Sequence, residues 1–351
     1  MLLTMVLDPV IVLPCLAWAT PVKVLGGRTM VAALLGLGAW WTTGGGAGQT
    51  WDAMEVSSFS VGLADGRSLE VSVSGPEQAT PLVIHHGTPS DRTQYRPFAE
   101  AAAVRGLRLV SYSRPGYGGS SRQPGRTIAD CAADSLAIVE QLGAGRFYTA
   151  GWSGGGPHVL ACAVLLPDRV LACATIAGVG PFGVSGLEFL AGMGQENHEE
   201  FGAALAGPSK LQGYLERQAQ GFTGLTGEQV AAALGDLVSP VDVGALTGDF
   251  AAYLARTFRQ AVATGIWGWF DDDLAFTRPW GFDLDEIGVP VVVWQGGQDR
   301  MVPSAHGQWL ATHVPGARPR LLTEEGHLSI AVASFGKILD DLLEDRPSVG
   351  E

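Results

Sequence analysis

The 351-residue chain reads as an α/β fold, with a mostly parallel central sheet, helices on both faces and an inserted helical segment. Three observations predict it. Short apolar runs alternate with helix-length segments from Glu55 onward. The alternation stops between Pro181 and Asp285 and resumes at Val289. Several of the apolar runs end in Gly-rich turns that carry polar side chains, as expected where parallel strands meet loops at their carboxyl ends.

Taken in order, Val56–Val61 and Ser68–Val73 alternate with period two across a turn containing Asp65-Gly66, which predicts a hairpin. Pro81–His85 is an apolar strand ending at His86-Gly87-Thr88-Pro89, and Leu107–Tyr112 is another, ending at Ser113-Arg114-Pro115-Gly116-Tyr117-Gly118. Tyr95–Arg105 between them reads as a helix, as does Thr127–Leu142. Arg146–Ala150 is a strand, Pro157–Leu166 a core helix and Val170–Ile176 a further strand. Residues 181–285 hold helix-length segments rich in aromatic residues, and read as a helical cap set on a core of residues 54–180 and 286–351. Val289–Gln295 and Arg318–Thr323 are the last strands, and Ser329–Leu343 is the closing helix.

Composition narrows the function classes. Hydrophobic residues make up 46% and charged residues 16%, which describes a globular chain with a substantial core. A net charge of −13 argues against a nucleic-acid partner and against attraction to anionic membranes. Cys15, Cys131, Cys162 and Cys173 lack metal-ligand spacing, so neither a disulfide framework nor a metal site is implied. Residues 1–53 differ from the rest: Met1–Trp18 and Met30–Trp41 are apolar, with Lys23 and Arg28 ahead of the second run. They are read as an over-called start with Met54 the true initiator and a cytoplasmic protein, or as a segment for export or membrane anchoring.

Chemistry concentrates at Gly151-Trp152-Ser153-Gly154-Gly155, between a strand and a helix. In a G-x-S-x-G turn the glycines allow backbone and helix to approach closely, so that the serine is presented above the sheet. The helix N-terminus beneath it offers unpaired N–H groups to a developing oxyanion. Asp299 and His327 also follow strand ends, and the order Ser, Asp, His distinguishes this arrangement from other serine-hydrolase folds.

With these motifs in view, the chain from Glu55 onward resembles the α/β-hydrolase fold superfamily, in its cap-bearing serine hydrolase form. The matching marks are His86-Gly87-Thr88-Pro89, Arg114-Pro115-Gly116-Tyr117-Gly118, the Ser153 turn, Gly296-Gly297-Gln298-Asp299 with Val302-Pro303, and Gly326-His327. The resemblance implies Ser153 as nucleophile, His327 as base and Asp299 as its acid partner. It also implies an oxyanion hole from the backbone N–H groups of Thr88 and Gly154. Trp152, Trp267, Trp269 and Phe270 are the candidate pocket residues. Asp271-Asp272-Asp273 and Glu324-Glu325 are read as solvated charge, and His158 as packed below the turn. A small, fairly apolar acyl substrate is the expected partner, with no cofactor and no metal; the oligomeric state is left open. Ser153 departs from the aspartate nucleophile of epoxide hydrolases, and Trp152 before the serine departs from prolyl iminopeptidases. Esterase, prolyl-iminopeptidase-like peptidase, lactonase, C–C hydrolase and vestigial ligand-sensor readings stay open on these residues alone.

Overall fold

A computed structural model describes residues 55–344, so the reading of residues 1–53 lies outside the described residues. Strands β1 (Ser57–Gly62), β2 (Ser68–Ser74), β3 (Thr80–His85), β4 (Leu107–Tyr112), β5 (Phe147–Trp152), β6 (Val170–Ile176), β7 (Val291–Gly296) and β8 (Arg318–Leu322) form one sheet. Their order is β1-β2-β4-β3-β5-β6-β7-β8. The β1–β2 hairpin is antiparallel with Gly62 opposite Ser68, β2 runs antiparallel to β4, and every later pairing is parallel. This is the α/β-hydrolase fold that the resemblance implies.

The helices of the core are α1 (Arg96–Ala103), α2 (Cys131–Gln141), α3 (Gly156–Leu165), α10 (Ser304–His313) and α11 (Ser329–Glu344). Between β6 and β7 lie α4 (Gln195–Leu205), α5 (Pro208–Phe222), α6 (Val230–Leu234), α7 (Pro240–Ala245), α8 (Gly248–Ala261) and α9 (Trp267–Phe276). No strand occurs among the described residues of this insertion.

Side-chain alternation along the strands feeds two separate cores. Val83, Val110, Val291 and Val293 face α2, α3 and α10, packing with Ile138, Leu160 and Leu310. Their neighbours Leu82, Leu109, Val292 and Trp294 face α1 and α11, packing with Ala102, Ile330 and Leu339. Each such aliphatic side chain, fully buried, contributes roughly 1.5–3 kcal/mol. A third core, built on Leu211, Leu215, Phe250, Leu254 and Trp269, belongs to the insertion and also takes in Tyr117 and Leu328.

Element bounds differ from the sequence reading where side chains compete with the helix. The expected helix from Thr127 begins at Cys131, because Asp130 Oδ2 accepts from Thr127 N at 2.6 Å and from Thr127 Oγ1 at 2.8 Å. That local turn displaces helical bonds at the entry. Strand β5 runs through Trp152, two residues beyond the expected end, so the serine turn starts directly from the sheet.

The glycines of that turn are fixed by contact distance. A Cβ on Gly151 would sit 2.2 Å from Gly155 O, and one on Gly155 would sit 2.0 Å from His85 O. Gly155→Ala should therefore lower the unfolding midpoint by several degrees, corresponding to about 3 kcal/mol or more of overpacking. Gly145→Ala, where a Cβ meets nothing within 4 Å, should leave the midpoint within a degree or so. Differential scanning calorimetry on the two variants checks the contrast.

Candidate active site

Ser153 follows β5 directly and holds φ at +57°, one of two non-glycine residues with positive φ among those described. A side chain gains nothing locally from that backbone region. The conformation persists because Gly151 and Gly155 lock the chain on either side, and it leaves the serine partly exposed at the floor of a cavity of about 190 Å³. Below the turn, buried His158 holds Gly154 O through Nδ1 at 2.8 Å, as expected of a residue packed beneath the elbow.

His327 follows β8 and borders the same cavity. Its Nδ1 donates to Asp299 Oδ2 at 2.8 Å, and both residues are buried. Asp299 is itself oriented: Oδ1 accepts from the backbone N–H of Met301 and Val302 at 2.9 and 2.8 Å, and Oδ2 takes Gln295 Nε2 at 3.1 Å. Burial disfavours a charged imidazole at His327. The charge and hydrogen bond of Asp299, with the charge of Asp242, outweigh that burial and hold the ring above its ordinary value.

Asp242 was not visible as a functional residue in the sequence. It lies in α7 of the insertion, fully buried. Its Oδ2 accepts from His327 N at 3.0 Å and Ser239 Oγ at 2.8 Å, and its Oδ1 from Leu328 N at 2.7 Å and Ser329 N at 3.0 Å. The carboxylate thus closes the N-terminus of α11 and fixes the backbone that carries His327, where a negative charge also meets the positive helix end. Gly326 is required beside it, since a Cβ there would lie 2.4 Å from Asp242 Oδ2.

Thr88 and Gly154 meet across the cavity floor: a Cβ on Gly154 would stand 2.5 Å from Thr88 Oγ1. The loop holding Thr88 is gripped from behind by Arg114, fully buried after β4. Arg114 donates to the carbonyls of His86 and Gly87 and to Thr88 Oγ1. The arginine is held in turn by Asp272 of α9 at 2.5 Å. Asp272 also takes Arg126 at 2.6 Å, Tyr117 Oη at 2.8 Å and Thr88 Oγ1 at 3.0 Å. Burial works against the Asp272 charge, but the two guanidinium groups prevail and hold its carboxyl well below the usual carboxylate range.

The solvated reading of Asp271-Asp272-Asp273 is therefore wrong, since all three are buried. Asp271 pairs with Arg122 at 2.8 Å, Asp272 with the two arginines, and Asp273 faces the cavity. The missed signal was the helix itself: bulky apolar residues recur on every side of α9, and a helix of that pattern is enclosed all round.

The same helical geometry divides the candidate pocket residues. Trp269, Asp273 and Phe276, four and three residues apart, share the face that lines the cavity. Trp267 and Phe270 are absent from that lining and pack against each other at 5.6 Å, with Arg122 4.0 Å above the Trp267 ring. Trp152 does line the cavity; it stacks on His327 at 5.8 Å and donates Nε1 to His327 O at 3.1 Å. Of the other histidines, His306 is bound at both ring nitrogens, by Gly180 N and Phe189 O, and burial pushes it down to about 4. His313 stacks on Trp309 at the surface.

Residues 80–333 match the alpha/beta hydrolase fold family, and the chain belongs to that family. It is 28% identical over 248 residues to a non-heme chloroperoxidase of Streptomyces lividans, covering 70% of this chain and 84% of that protein. It is also 26% identical to an uncharacterized hydrolase of Bacillus subtilis, over 80% of this chain and 96% of that one. A solved enol-lactonase from Burkholderia xenovorans matches with a TM-score of 0.60 at 20% identity, covering 82% of this chain and all of that one. A Rhodococcus esterase matches at a TM-score of 0.59 and 19% identity, over 84% and 100% of the two chains. Among the described residues no helix is long and apolar enough to cross a membrane.

The Asp242 contacts generate a prediction independent of turnover. In Asp242→Asn the amide NH2 would face either the N–H of His327 or those of Leu328 and Ser329, leaving a buried donor unsatisfied at about 1–3 kcal/mol. Loss of the negative charge also destabilises the imidazolium, so the His327 pKa should fall. NMR titration of ¹⁵N-labelled histidine should find His327 titrating above about 6.5 in the parent protein and lower in the variant.

Proposed function

We propose that the protein is a serine hydrolase that cleaves an ester or related acyl bond of a small, fairly apolar substrate through an acyl-enzyme intermediate. The observation that carries this reading is Ser153, strained at φ +57° on the floor of a cavity that also meets the His327–Asp299 pair. The family membership and the esterase and lactonase folds that it resembles support hydrolysis. A serine in place of an aspartate nucleophile favours acyl chemistry over epoxide opening.

In this mechanism His327 Nε2, the ring nitrogen left free by Asp299, accepts the Ser153 hydroxyl proton as Oγ attacks the acyl carbon. Asp299 holds the ring in the required tautomer and balances the imidazolium charge. The backbone N–H groups of Thr88 and Gly154 receive the oxyanion, and each such donor contributes about 3–4 kcal/mol in the transition state. Collapse breaks the bond to the leaving group, which takes the proton from His327. Water then repeats the sequence on the acyl-serine, giving its proton to His327 and releasing the acid. The helical insertion serves as the cap that closes the cavity over the serine.

A fluorophosphonate probe should label the protein once, at Ser153, by peptide mass spectrometry. Labelling that survives Ser153→Ala would place the nucleophile elsewhere.

The pH dependence follows from the raised His327 value. The base must be neutral, so kcat/KM rises as pH passes upward through its pKa. Hydrolysis of a p-nitrophenyl ester should thus show an acid limb with its midpoint above about 6.5. A rate with no acid limb at all would contradict the assignment of His327 as base.

A further inference from the structure

The proposed acyl chemistry leaves two cavity-wall carboxyls unused. Asp273 on α9 is fully buried, and neither of its oxygens accepts from any donor among the described residues. Beside it, in hydrogen-bonding range, stands Glu200 of α4, whose Oε1 accepts Trp269 Nε1 at 2.7 Å. Both border the cavity that holds Ser153.

A structural ion pair would explain such a group, but among the described residues no lysine or arginine lines this cavity. The nearby Arg114 and Arg126 are already bound to Asp272. An unpaired buried carboxylate is costly. Burial, and then the charge of Glu200, push the Asp273 carboxyl well above the usual carboxylate range. Two further carboxyls, Asp91 and Glu196, lie on the same wall set, together with the rings of Tyr214, Phe222 and Phe258. Among the described residues the cavity wall therefore carries acidic groups and aromatic faces and no lysine or arginine.

We propose that Asp273 and Glu200 form a subsite for a protonated amine, and that the substrate is an acyl compound bearing a primary or secondary ammonium group. The inference rests on the hydrolase reading for the word acyl, and on the cavity alone for the ammonium. An ammonium supplies two or three donors in one compact charge, which suits the unoccupied lone pairs of Asp273 and the remaining oxygen of Glu200. The surrounding aromatic faces add cation–π attraction. Anionic substrates meet four carboxyls, and no lysine or arginine among the described residues lines the cavity to offset them.

The test uses full-length protein carrying Ser153→Ala, so that binding is read without turnover. Benzylammonium and benzyl alcohol, alike in shape, are titrated by calorimetry near pH 7. Benzylammonium should bind at least about tenfold more tightly, and the preference should shrink to about threefold or less in Asp273→Asn and in Glu200→Gln. The two substitutions lie on different helices, and the comparison in the parent protein requires neither variant to fold. Equal affinity of the two probes in the parent, or an undiminished preference in either folded variant, overturns the subsite. Normal fluorophosphonate labelling of the protein that retains Ser153, with equal affinities in the Ser153→Ala protein, would remove the ammonium site and leave the hydrolase. Lost labelling with a retained ammonium preference would do the reverse.

Discussion

The structure depends on one buried carboxylate. Asp272 sits in the insertion, yet its contacts are Arg114, Arg126, Tyr117 and Thr88, all from the loops at the carboxyl edge of the sheet or the segment just after them. Two guanidinium groups on one acid satisfy the charge on both sides, and the hydroxyl donors complete its lone pairs. A network of this kind contributes less to net stability than its distances suggest, because removing the ions from water offsets most of the attraction. Its consequence is geometric: the loop bearing Thr88 can occupy one position only while the insertion is seated.

The opposite side of the cavity repeats the device with backbone donors. Asp242 gathers three consecutive N–H groups, from His327 to Ser329, onto one carboxylate. The insertion therefore fixes the loop of the candidate base as well as the loop of the candidate oxyanion donors. Trp152 adds a third tie, running from the residue before the serine to the carbonyl of His327. Ser153, Thr88 and His327 come from β5, β3 and β8, and the sheet alone brings them to one edge. The insertion sets their relative positions within it.

Much of this was legible in the sequence, for local reasons. Ser153 and its glycines announce themselves because a close backbone approach excludes every side chain, and the distances at Gly151 and Gly155 show that exclusion directly. Asp299 and His327 stand at strand ends within Gly-bearing turns, so the alternation of the sheet was enough to find them. Asp242 and Glu200 were hidden because their partners lie 85 and 69 residues away, beyond any periodic signal. The acidic triplet was misread because charge was taken to mean solvent, when the helix carrying it has no polar face to turn outward. Trp267 and Phe270 were misplaced for a related reason: four consecutive aromatic or glycine residues cannot all share one side of a helix.

The seating of the insertion on Arg114 and the His327 loop bears on how this family can be recombined. Exchange of lids between relatives is usually imagined as a change of pocket lining on an indifferent base. Here the transplanted piece would have to bring a carboxylate for Arg114 and another for the start of α11, or the recipient would keep an unneutralised guanidinium behind the loop that carries Thr88. A chimera would inherit its donor's specificity only if it also inherited these two anchors. The insertion and the loops of the candidate site are one unit of inheritance.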